Sequence, residues 1–348
     1  YNPTFKRRGK EPSKKTLKIC GDNIDKVDNI EVVEKIKTIR KDPDKKYGYR
    51  RMTYELLLNG YIINHKKVYR LMKDNQLLKE KPAKRTRDFV KYRKVMPTRP
   101  LEIFEMDIKY VWIEKDKRHC YILSVIDTFT RVVVGWTFGY KINQWQVKKL
   151  WEQIIVNHLQ TYDCLKRGIN IEIRNDNDSR FIAKTVQEFF KENHINQVFT
   201  HPYTPQENGH IESFHAILSE KLSKFSFWSI DDLETVLILF YEKYNNERIH
   251  SSIGYLPPLV FWNCWEKGII EAKFDMKKRQ IKFKLLVPHY KLSRDLSLRE
   301  VPSYQTKPLD GVEDDQNHCT YKMDGTIPSK QPSVENRRRS SLPFANIN

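Results

Sequence analysis

Residues 104–110 read FEMDIKY, a strict alternation of apolar and polar side chains. Successive side chains of a β-strand point to opposite faces, so this alternation predicts a strand with one buried face. Asp107 then points away from that face. Two further apolar runs, residues 121–126 and 132–138, predict a second and a third strand. The short connection between these two runs, residues 127–131, predicts a hairpin.

The chain then alternates between helical and extended patterns. Residues 143–160 and 179–193 carry apolar side chains at helical spacing, and residues 169–174 and 198–199 read as strands. A further helix follows Asn208. The predicted order is three strands, then helix, strand, helix, strand and helix. This order is typical of an α/β fold built on a mixed sheet that is flanked by helices.

Three more helices are predicted upstream, in residues 29–79. Asn59 and Gly60 end the second of them with a C-cap signal, and Asn64 can cap the third. A helix, a short glycine turn and a basic helix form the order of a helix-turn-helix, whose last helix enters the major groove of DNA. The candidate phosphate contacts on the third helix are Lys66, Lys67 and Arg70.

The net charge of +19 is concentrated in the first third of the chain. Residues 1–100 hold 29 Lys and Arg against 12 Asp and Glu. An interleaved basic segment of this kind indicates a polyanionic partner, and we expect nucleic acid. Residues 1–28 show no periodicity and predict a basic flexible arm. Residues 80–100 predict a basic linker along the DNA backbone, in which the expected contacts are Lys84, Arg85 and Arg87.

The remaining segments complete a predicted domain organisation. An alternating, basic stretch near residue 282 predicts a small β element, and the polar C-terminal segment predicts a disordered tail. The predicted segments are the arm (1–28), the helix-turn-helix domain (29–79), the linker (80–100), the α/β core (101–266), the β element (267–292) and the tail (293–348). The chain begins at Tyr1 rather than Met, so we expect a fragment or one half of a fused product.

Cysteine spacing and hydropathy exclude several other classes. The five cysteines include no CxxC pair, which argues against a zinc site and against a disulfide framework. No apolar run approaches the roughly 18 residues of a membrane span, and no signal-peptide pattern opens the chain. We therefore expect no membrane partner and a reducing, cytoplasmic compartment.

Three acidic residues are the candidate catalytic metal ligands: Asp107, Asp176 and Glu212. Asp176 lies just past the predicted strand 169–174, and Glu212 follows it after 35 intervening residues on a predicted helix. Phosphoryl transfer on DNA needs an activated oxygen nucleophile and a stabilised leaving oxygen, which two metal ions about 3.5–4 Å apart supply. Mg²⁺ prefers oxygen ligands, so three carboxylates meet this need. We expect two Mg²⁺ ions bridged by Asp107, with Mn²⁺ as a substitute.

Six motifs follow one another within residues 36–262. They are YGYRR (47–51), DIKY (107–110), DTFTR (127–131), NDNDSRF (175–181), NGHIE (208–212) and YNNERIH (244–250). With these motifs in this order, the chain resembles the transposases of bacterial insertion sequences with a retroviral-integrase-like catalytic domain, the Asp-Asp-35-Glu class. The resemblance implies an RNase H-like core, metal-dependent cleavage at element ends and strand transfer into a target. It also implies that Asp107, Asp176 and Glu212 are the catalytic residues.

The chain departs from the family's pattern near the second acid. The family often has Ser before this Asp and Gly two residues after it, where this chain has Asn175 and Asp178. Lys109 replaces a common Thr. We interpret Asp178 as a spare ligand that ranks below Asp176. Asp127 is interpreted as a structural residue of the hairpin rather than as a fourth ligand.

Other polar residues of the motifs are candidate DNA contacts or supports. His210 and His215 either contact DNA or are exposed. Arg248 and His250 either contact DNA or brace the helix that carries Glu212. Asn208 is interpreted as the N-cap of that helix. The DNA contacts predicted from the motifs are Arg50, Arg51, His210 and Arg248.

The sequence therefore predicts a DNA transposase that binds element ends and catalyses Mg²⁺-dependent cleavage and strand transfer. Its expected partners are the terminal inverted repeats, the target DNA and further copies of itself in a synaptic complex, near the bacterial nucleoid. Two alternatives stay open: a nuclease of the same fold without a joining step, and a non-catalytic DNA-binding protein. RNA binding is less favoured, because it needs exposed aromatic residues for stacking, whereas the aromatic residues here mostly fit strands and helix stripes.

Overall fold

The structure is a computed structural model that describes residues 12–21, 23–78, 95–201, 205–277 and 279–293. Across these ranges, no helix has the length and apolar character that crossing a membrane requires. The predicted disordered tail lies outside the described residues, apart from its first residue. Residues 80–94, which are most of the predicted linker, lie outside them as well, as does residue 79.

The three predicted N-terminal helices are present. They are α1 (Asn29–Lys41), α2 (Tyr49–Leu58) and α3 (His65–Asp74). The side chain of Asn64 accepts a hydrogen bond from the backbone N–H of Lys67 at 2.9 Å, as its N-cap position predicts. Gly60 follows α2 with a φ of +85°, a left-handed conformation that glycine adopts without strain.

The prediction of a flexible arm over residues 1–28 is wrong for its second half. Residues in this part form β1 (Lys15–Cys20) and β2 (Asn23–Asp28), and β1 also pairs with β3 (Tyr61–Ile62). Most side chains of β1 and β2 are exposed, so backbone pairing rather than apolar burial holds them. That is why the segment shows no hydrophobic periodicity. Residues 1–11 lie outside the described part of the chain.

A five-stranded mixed sheet forms the centre of the molecule. Its strands are β4 (Ile103–Ile113), β5 (Arg118–Asp127), β6 (Val133–Gly139), β7 (Ile171–Asn175) and β8 (Ile195–Phe199). The spatial order is β6-β5-β4-β7-β8, with the first three strands antiparallel and β4, β7 and β8 parallel. This order and these directions are those of an RNase H-like fold, which confirms the predicted fold class.

Helices cover both faces of the sheet. One face packs against α4 (Gln144–Ile154), which continues as a π-helix to Gln160, and against α6 (Lys184–Glu192), which follows the short α5 (Ser179–Ile182). The other face packs against α7 (Gly209–Leu222) and α8 (Ile230–Asn246). The alternation of β4 predicted only one buried face, yet Glu105 on the opposite face is fully buried. Asp107 shares that second face and so points toward α7.

The N-terminal helices share one hydrophobic core with the last described segments. These segments are α9 (Pro258–Glu266), β9 (Ile270–Asp275) and β10 (Gln280–Leu285). Phe129 of the DTFTR motif joins the same core, with its ring centroid 5.9 Å from that of Phe261 and 5.0 Å from that of Phe283. The helices of residues 29–79 therefore pack directly against the segments that follow the central sheet. The predicted domain boundaries stay a prediction.

The side chain of Asn245 forms hydrogen bonds with the backbone of β6, an edge strand of the central sheet. Its Oδ1 accepts a hydrogen bond from the backbone N–H of Val133, and its Nδ2 donates to the backbone carbonyl of the same residue, both at 3.0 Å. Val133 starts β6, and Asn245 is 2% exposed at the end of α8. One amide side chain thus satisfies both backbone groups of an edge-strand residue. This contact gives a structural reason for the first Asn of the YNNERIH motif.

We expect Asn245→Ala to lower the free energy of unfolding by about 2–5 kcal/mol, because it leaves a buried N–H and a buried carbonyl unpaired. The neighbouring Asn246 is a matched control, since its Nδ2 donates only to the Glu242 carbonyl of its own helix. Asn246→Ala should cost less than about 0.5 kcal/mol. Urea unfolding of both variants measures the difference, and equal losses would contradict the role given to Asn245.

Candidate active site

Asp107 lies on β4, and Asp176 directly follows β7, the neighbouring parallel strand. The last paired residues of β4 and β7 are Glu105 and Arg174, and continuing this register by two residues brings Asp107 opposite Asp176. Neighbouring strands lie about 4.8 Å apart. The two carboxylates therefore share the edge of the sheet at which β7 ends. The Asp107 side chain is 32% exposed, so it is accessible to a ligand.

Glu212 lies in the first turn of α7, and Glu105 fixes the start of this helix. The Glu105 Oε2 accepts hydrogen bonds from the backbone N–H groups of His210 and Ile211, both at 2.8 Å. The other oxygen, Oε1, lies 2.6 Å from His210 Nδ1. A buried carboxylate of β4 thus caps α7 and holds the helix that carries Glu212 against the strand that carries Asp107.

This capping corrects the prediction for Asn208. Asn208 does occupy the N-cap position of α7, but its side chain makes no capping hydrogen bond and its Oδ1 is buried without a partner. The backbone of Asn208 has a φ of −110° and a ψ of 34°, away from the extended conformation of most N-cap residues. The capping group comes instead from Glu105, about a hundred residues away in sequence.

Burial and neighbouring negative charges raise the pKa values of Asp176 and Glu212. Burial is the main cause for Asp176, and the negative charge of Asp107 adds to this increase, against a hydrogen bond from the Asp178 backbone N–H. Burial also raises the pKa of Glu212, with further contributions from the charges of Asp107 and Glu105. Asp107 thus acts on both of the other acids, which places the three in one neighbourhood.

The carboxylates do not form a closed ligand cluster. Among the described residues, no group of three or more His, Cys, Asp or Glu side chains has the arrangement of a metal-holding site. The donor set nevertheless suits a hard cation, because it consists of carboxylate oxygens, and a positive charge would lower the raised pKa values of Asp176 and Glu212 again. The assignment of Asp107, Asp176 and Glu212 as metal ligands therefore stays a prediction.

His215 is a site residue whose role the sequence left open. Its Nδ1 lies 3.1 Å from Asp107 Oδ2, and its side chain is only 8% exposed. His215 is buried rather than exposed, which excludes one of the two predicted alternatives. DNA contact by His215 stays a prediction. The sequence feature that could have indicated a role at the site is its position three residues after Glu212, on the same side of the helix. His215 orients the Asp107 carboxylate from α7.

The two acids that were ranked lower have structural partners. Arg180 holds Asp178, with a distance of 2.7 Å from Arg180 Nε to Asp178 Oδ1. This pairing lowers the pKa of Asp178. Asp127 is fully buried and accepts hydrogen bonds from the backbone N–H and the hydroxyl of Thr130. Asp127 therefore organises the turn of the DTFTR motif, as the sequence interpretation had it.

The predicted DNA contacts of the N-terminal region occupy different environments. Arg50 and Lys66 are exposed, whereas Lys67 and Arg70 are half-buried. The Lys67 Nζ donates a hydrogen bond to the Lys15 carbonyl at 2.6 Å, so this lysine also secures β1. DNA contact by these side chains stays a prediction. The linker residues Lys84, Arg85 and Arg87 lie outside the described residues.

Three other predicted contacts lie deeper in the protein. The His210 ring is engaged by Glu105. Arg51 and Arg248 are half-buried and line a common cavity between the N-terminal helices and α7 and α8. Their positions show that a basic residue of a motif need not lie on an open surface, and their role in DNA contact stays a prediction.

Three family models match the chain. Two are described as an integrase core domain and cover residues 97–205 and 193–258. The third is described as an HTH-like domain and covers residues 27–85. Together they cover the N-terminal helices and the central sheet with its flanking helices.

Curated relatives come from insertion sequences. An uncharacterised 39.2 kDa protein of insertion element IS476 from Xanthomonas euvesicatoria is 29% identical over 221 residues, which is 62% of this chain and 60% of that protein. The putative transposase InsK of insertion sequence element IS150 from Escherichia coli K12 is 27% identical over 244 residues, or 67% and 83% of the two chains. The chain thus carries an integrase core domain preceded by an HTH-like domain, and it is similar to proteins of bacterial insertion sequences, including a putative transposase.

Solved structures of an integrase and of a transposase are also similar to this chain. The catalytic domain of the Mos1 mariner transposase has a TM-score of 0.37 at 12% identity, over 57% of this chain and 83% of that one. The dimeric HTLV-2 integrase catalytic core domain in complex with magnesium has a TM-score of 0.33 at 19% identity, over 44% and 91%.

We expect Asp107→Asn to stabilise the protein when no divalent metal is present, because the substitution removes the charge that repels Asp176 and Glu212. The gain should be on the order of 0.5–1 kcal/mol, since the site is partly exposed. Thermal unfolding in the presence of EDTA measures it. Glu188→Gln is the control, because Glu188 is an exposed acid paired only with Lys184 at 3.5 Å. A destabilised Asp107→Asn variant would contradict the repulsion.

Proposed function

We propose that this protein is a transposase that binds the ends of a mobile element and catalyses divalent-metal-dependent strand cleavage and strand transfer into target DNA. The observation that carries the proposal is the convergence of Asp107 on β4, Asp176 directly after the neighbouring strand β7, and Glu212 on the helix that Glu105 anchors. Similarity to proteins of insertion sequences supports the choice of DNA as substrate.

Asp107, Asp176 and Glu212 are the residues that would hold two Mg²⁺ ions, with Asp107 shared between them and Mn²⁺ as a substitute. When bound, such ions activate the attacking oxygen and stabilise the leaving oxygen. The protein's own part is to hold the carboxylates in place. His215 orients Asp107, and Glu105 keeps α7, and with it Glu212, against β4.

The DNA partners follow from the same proposal. The HTH-like domain would bind the terminal inverted repeats, and the core would act on the element end and the target. Because two ends must be brought together, several copies of the chain would assemble in a synaptic complex. The site of action would be the bacterial nucleoid.

We expect Asp107→Asn and Glu212→Gln to reduce strand transfer to the background of the assay while DNA binding is retained. Each substitution keeps the size of the side chain but removes a negative charge that the metal site needs. Incubation of protein, Mg²⁺ and a pre-cut element end with a target plasmid measures joined products. Glu188→Gln is the matched control and should keep full activity.

The same assay separates the alternatives. Nicked but never joined products from the wild-type protein would favour a nuclease of the same fold. Binding without any cleavage would favour a non-catalytic DNA-binding protein. Full strand transfer by either acid variant would overturn the assignment of the carboxylates.

We expect Lys66→Ala combined with Arg70→Ala to flatten the salt dependence of DNA affinity. Each lost phosphate contact should reduce the slope of log affinity against log salt by about 0.9. Fluorescence anisotropy of a labelled duplex at several salt concentrations gives this slope. Lys37→Ala is the control, because Lys37 is paired with Glu34 on α1 at 2.7 Å. An unchanged slope in the double variant would mean that α3 does not contact phosphate.

A further inference from the structure

A polar cavity lies between the segment before α2 and the helices α7 and α8. Its volume is about 110 Å³. One water molecule needs about 10–15 Å³ by this measure, so the cavity has room for a small anion or several waters. Its wall includes Arg51 from α2 and Arg248 from the YNNERIH motif, and it is therefore built from both the N-terminal helices and the core.

Most acids of the cavity wall are already neutralised. Three of the four carboxylates pair with lysines of the same wall, and these pairs also fasten the N-terminal segment to α7 and α8. The pairs are Asp42 with Lys243 at 3.0 Å, Asp44 with Lys221 at 2.6 Å and Glu247 with Lys45 at 2.7 Å.

The remaining charges of the wall are mostly positive. Within the described residues, Arg51 and Arg248 form no salt bridge, and neither do Lys46 and Lys224, which are exposed at the rim. Glu220 is the fourth carboxylate of the wall, and within the same described ranges it has no ion pair either. Four cations without a salt bridge thus face one carboxylate. The Nε of Arg248 is buried and has no hydrogen-bond partner.

The guanidinium groups are also held close enough to repel one another. Burial and the charge of Arg248 lower the pKa of Arg51. Burial and the charges of Arg248, Arg51 and Arg131 lower the pKa of His250 well below its usual value, so this imidazole is neutral and adds no charge of its own. A group of half-buried cations of this kind is costly unless an anion joins it.

We propose that this cavity binds one phosphate group of a DNA strand, held by Arg51 and Arg248 with Lys46 and Lys224 at its rim. The planar guanidinium fork matches the oxygens of a phosphate and is the preferred group for such a contact. The choice of DNA as the source of the phosphate rests on the function proposed above, whereas the anion site itself does not.

The position of the cavity fits a DNA strand that also reaches the carboxylates. Glu212 lies near the start of α7 and Lys224 lies just past its end, 12 residues later. At 1.5 Å per residue this is about 18 Å along the helix axis. A duplex with a rise of about 3.4 Å per base pair covers that length in roughly five base pairs. The phosphate in the cavity would then belong to the same DNA segment as the reacting end.

The first measurement uses the full chain and inorganic phosphate. Phosphate should raise the midpoint of thermal unfolding of the wild type more than chloride does at equal ionic strength. Arg51→Gln and Arg248→Gln should lose this difference, whereas Arg51→Lys, which keeps the charge, should retain part of it. Lys37→Gln, on an exposed face of α1, is the control and should behave as the wild type.

The second measurement uses a labelled DNA duplex and anisotropy at several salt concentrations. Each Gln variant should reduce the slope of log affinity against log salt by about 1, as expected for one lost phosphate contact. If phosphate stabilises the wild type but the slopes do not change, the site takes a free anion and the DNA assignment is overturned. If neither quantity responds, the arginines only connect the two parts of the protein and the proposal is wrong.

The result for the anion site can be distinguished from the result for the proposed strand-transfer function. Loss of the phosphate response and of the DNA slope in the Gln variants would support the site even if the wild type showed no strand transfer. Conversely, strand transfer that depends on Glu212 would stand even if the cavity bound no anion. A Gln variant that unfolds is replaced by its Lys counterpart, whose intermediate response carries the same test.

Discussion

The candidate active site depends on one buried carboxylate, that of Glu105. Glu105 lies inside the protein, and burial raises its pKa to about 8 against the opposing effects of the Ile211 N–H, Arg131 and Arg174. Its side chain occupies the N-terminus of α7, where free backbone N–H groups and the helix dipole favour an acceptor. Since α7 carries Glu212 and β4 carries Asp107, this single contact sets how these acids can meet.

Much of the fold could be predicted from periodicity. The alternation at residues 104–110, the two apolar runs after it and the helical stripe from Ile211 onward gave the element order that the structure has. Strands that are held by backbone pairing alone need no alternation of apolar residues. For this reason the sequence predicts a flexible arm where the structure has β1 and β2. A polar residue in an alternating strand likewise suggests solvent, so the burial of Glu105 could not be predicted without knowing what covers the second face.

The candidate site could be predicted in part. The three acids could be selected because the chemistry requires carboxylates and the spacing matches a known pattern, and their role as metal ligands stays a prediction. The residues that orient them could not be selected, because contacts such as His215 with Asp107 join positions that are 108 residues apart. A motif indicates which residues matter but not which neighbour each one contacts. For this reason the sequence assigns to Asn208 the capping role that Glu105 fulfils, and it does not predict the cavity that Arg51 and Arg248 line.

The core that the N-terminal helices share with α9, β9 and β10 has a consequence for the proposed contact with DNA. Helices that pack this way cannot move independently of the core, so the fold fixes the distance between the part that would read a sequence and the part that would cut. In the proposed function, an element end whose recognised bases were shifted by half a helical turn would present the wrong side of the duplex to the carboxylates.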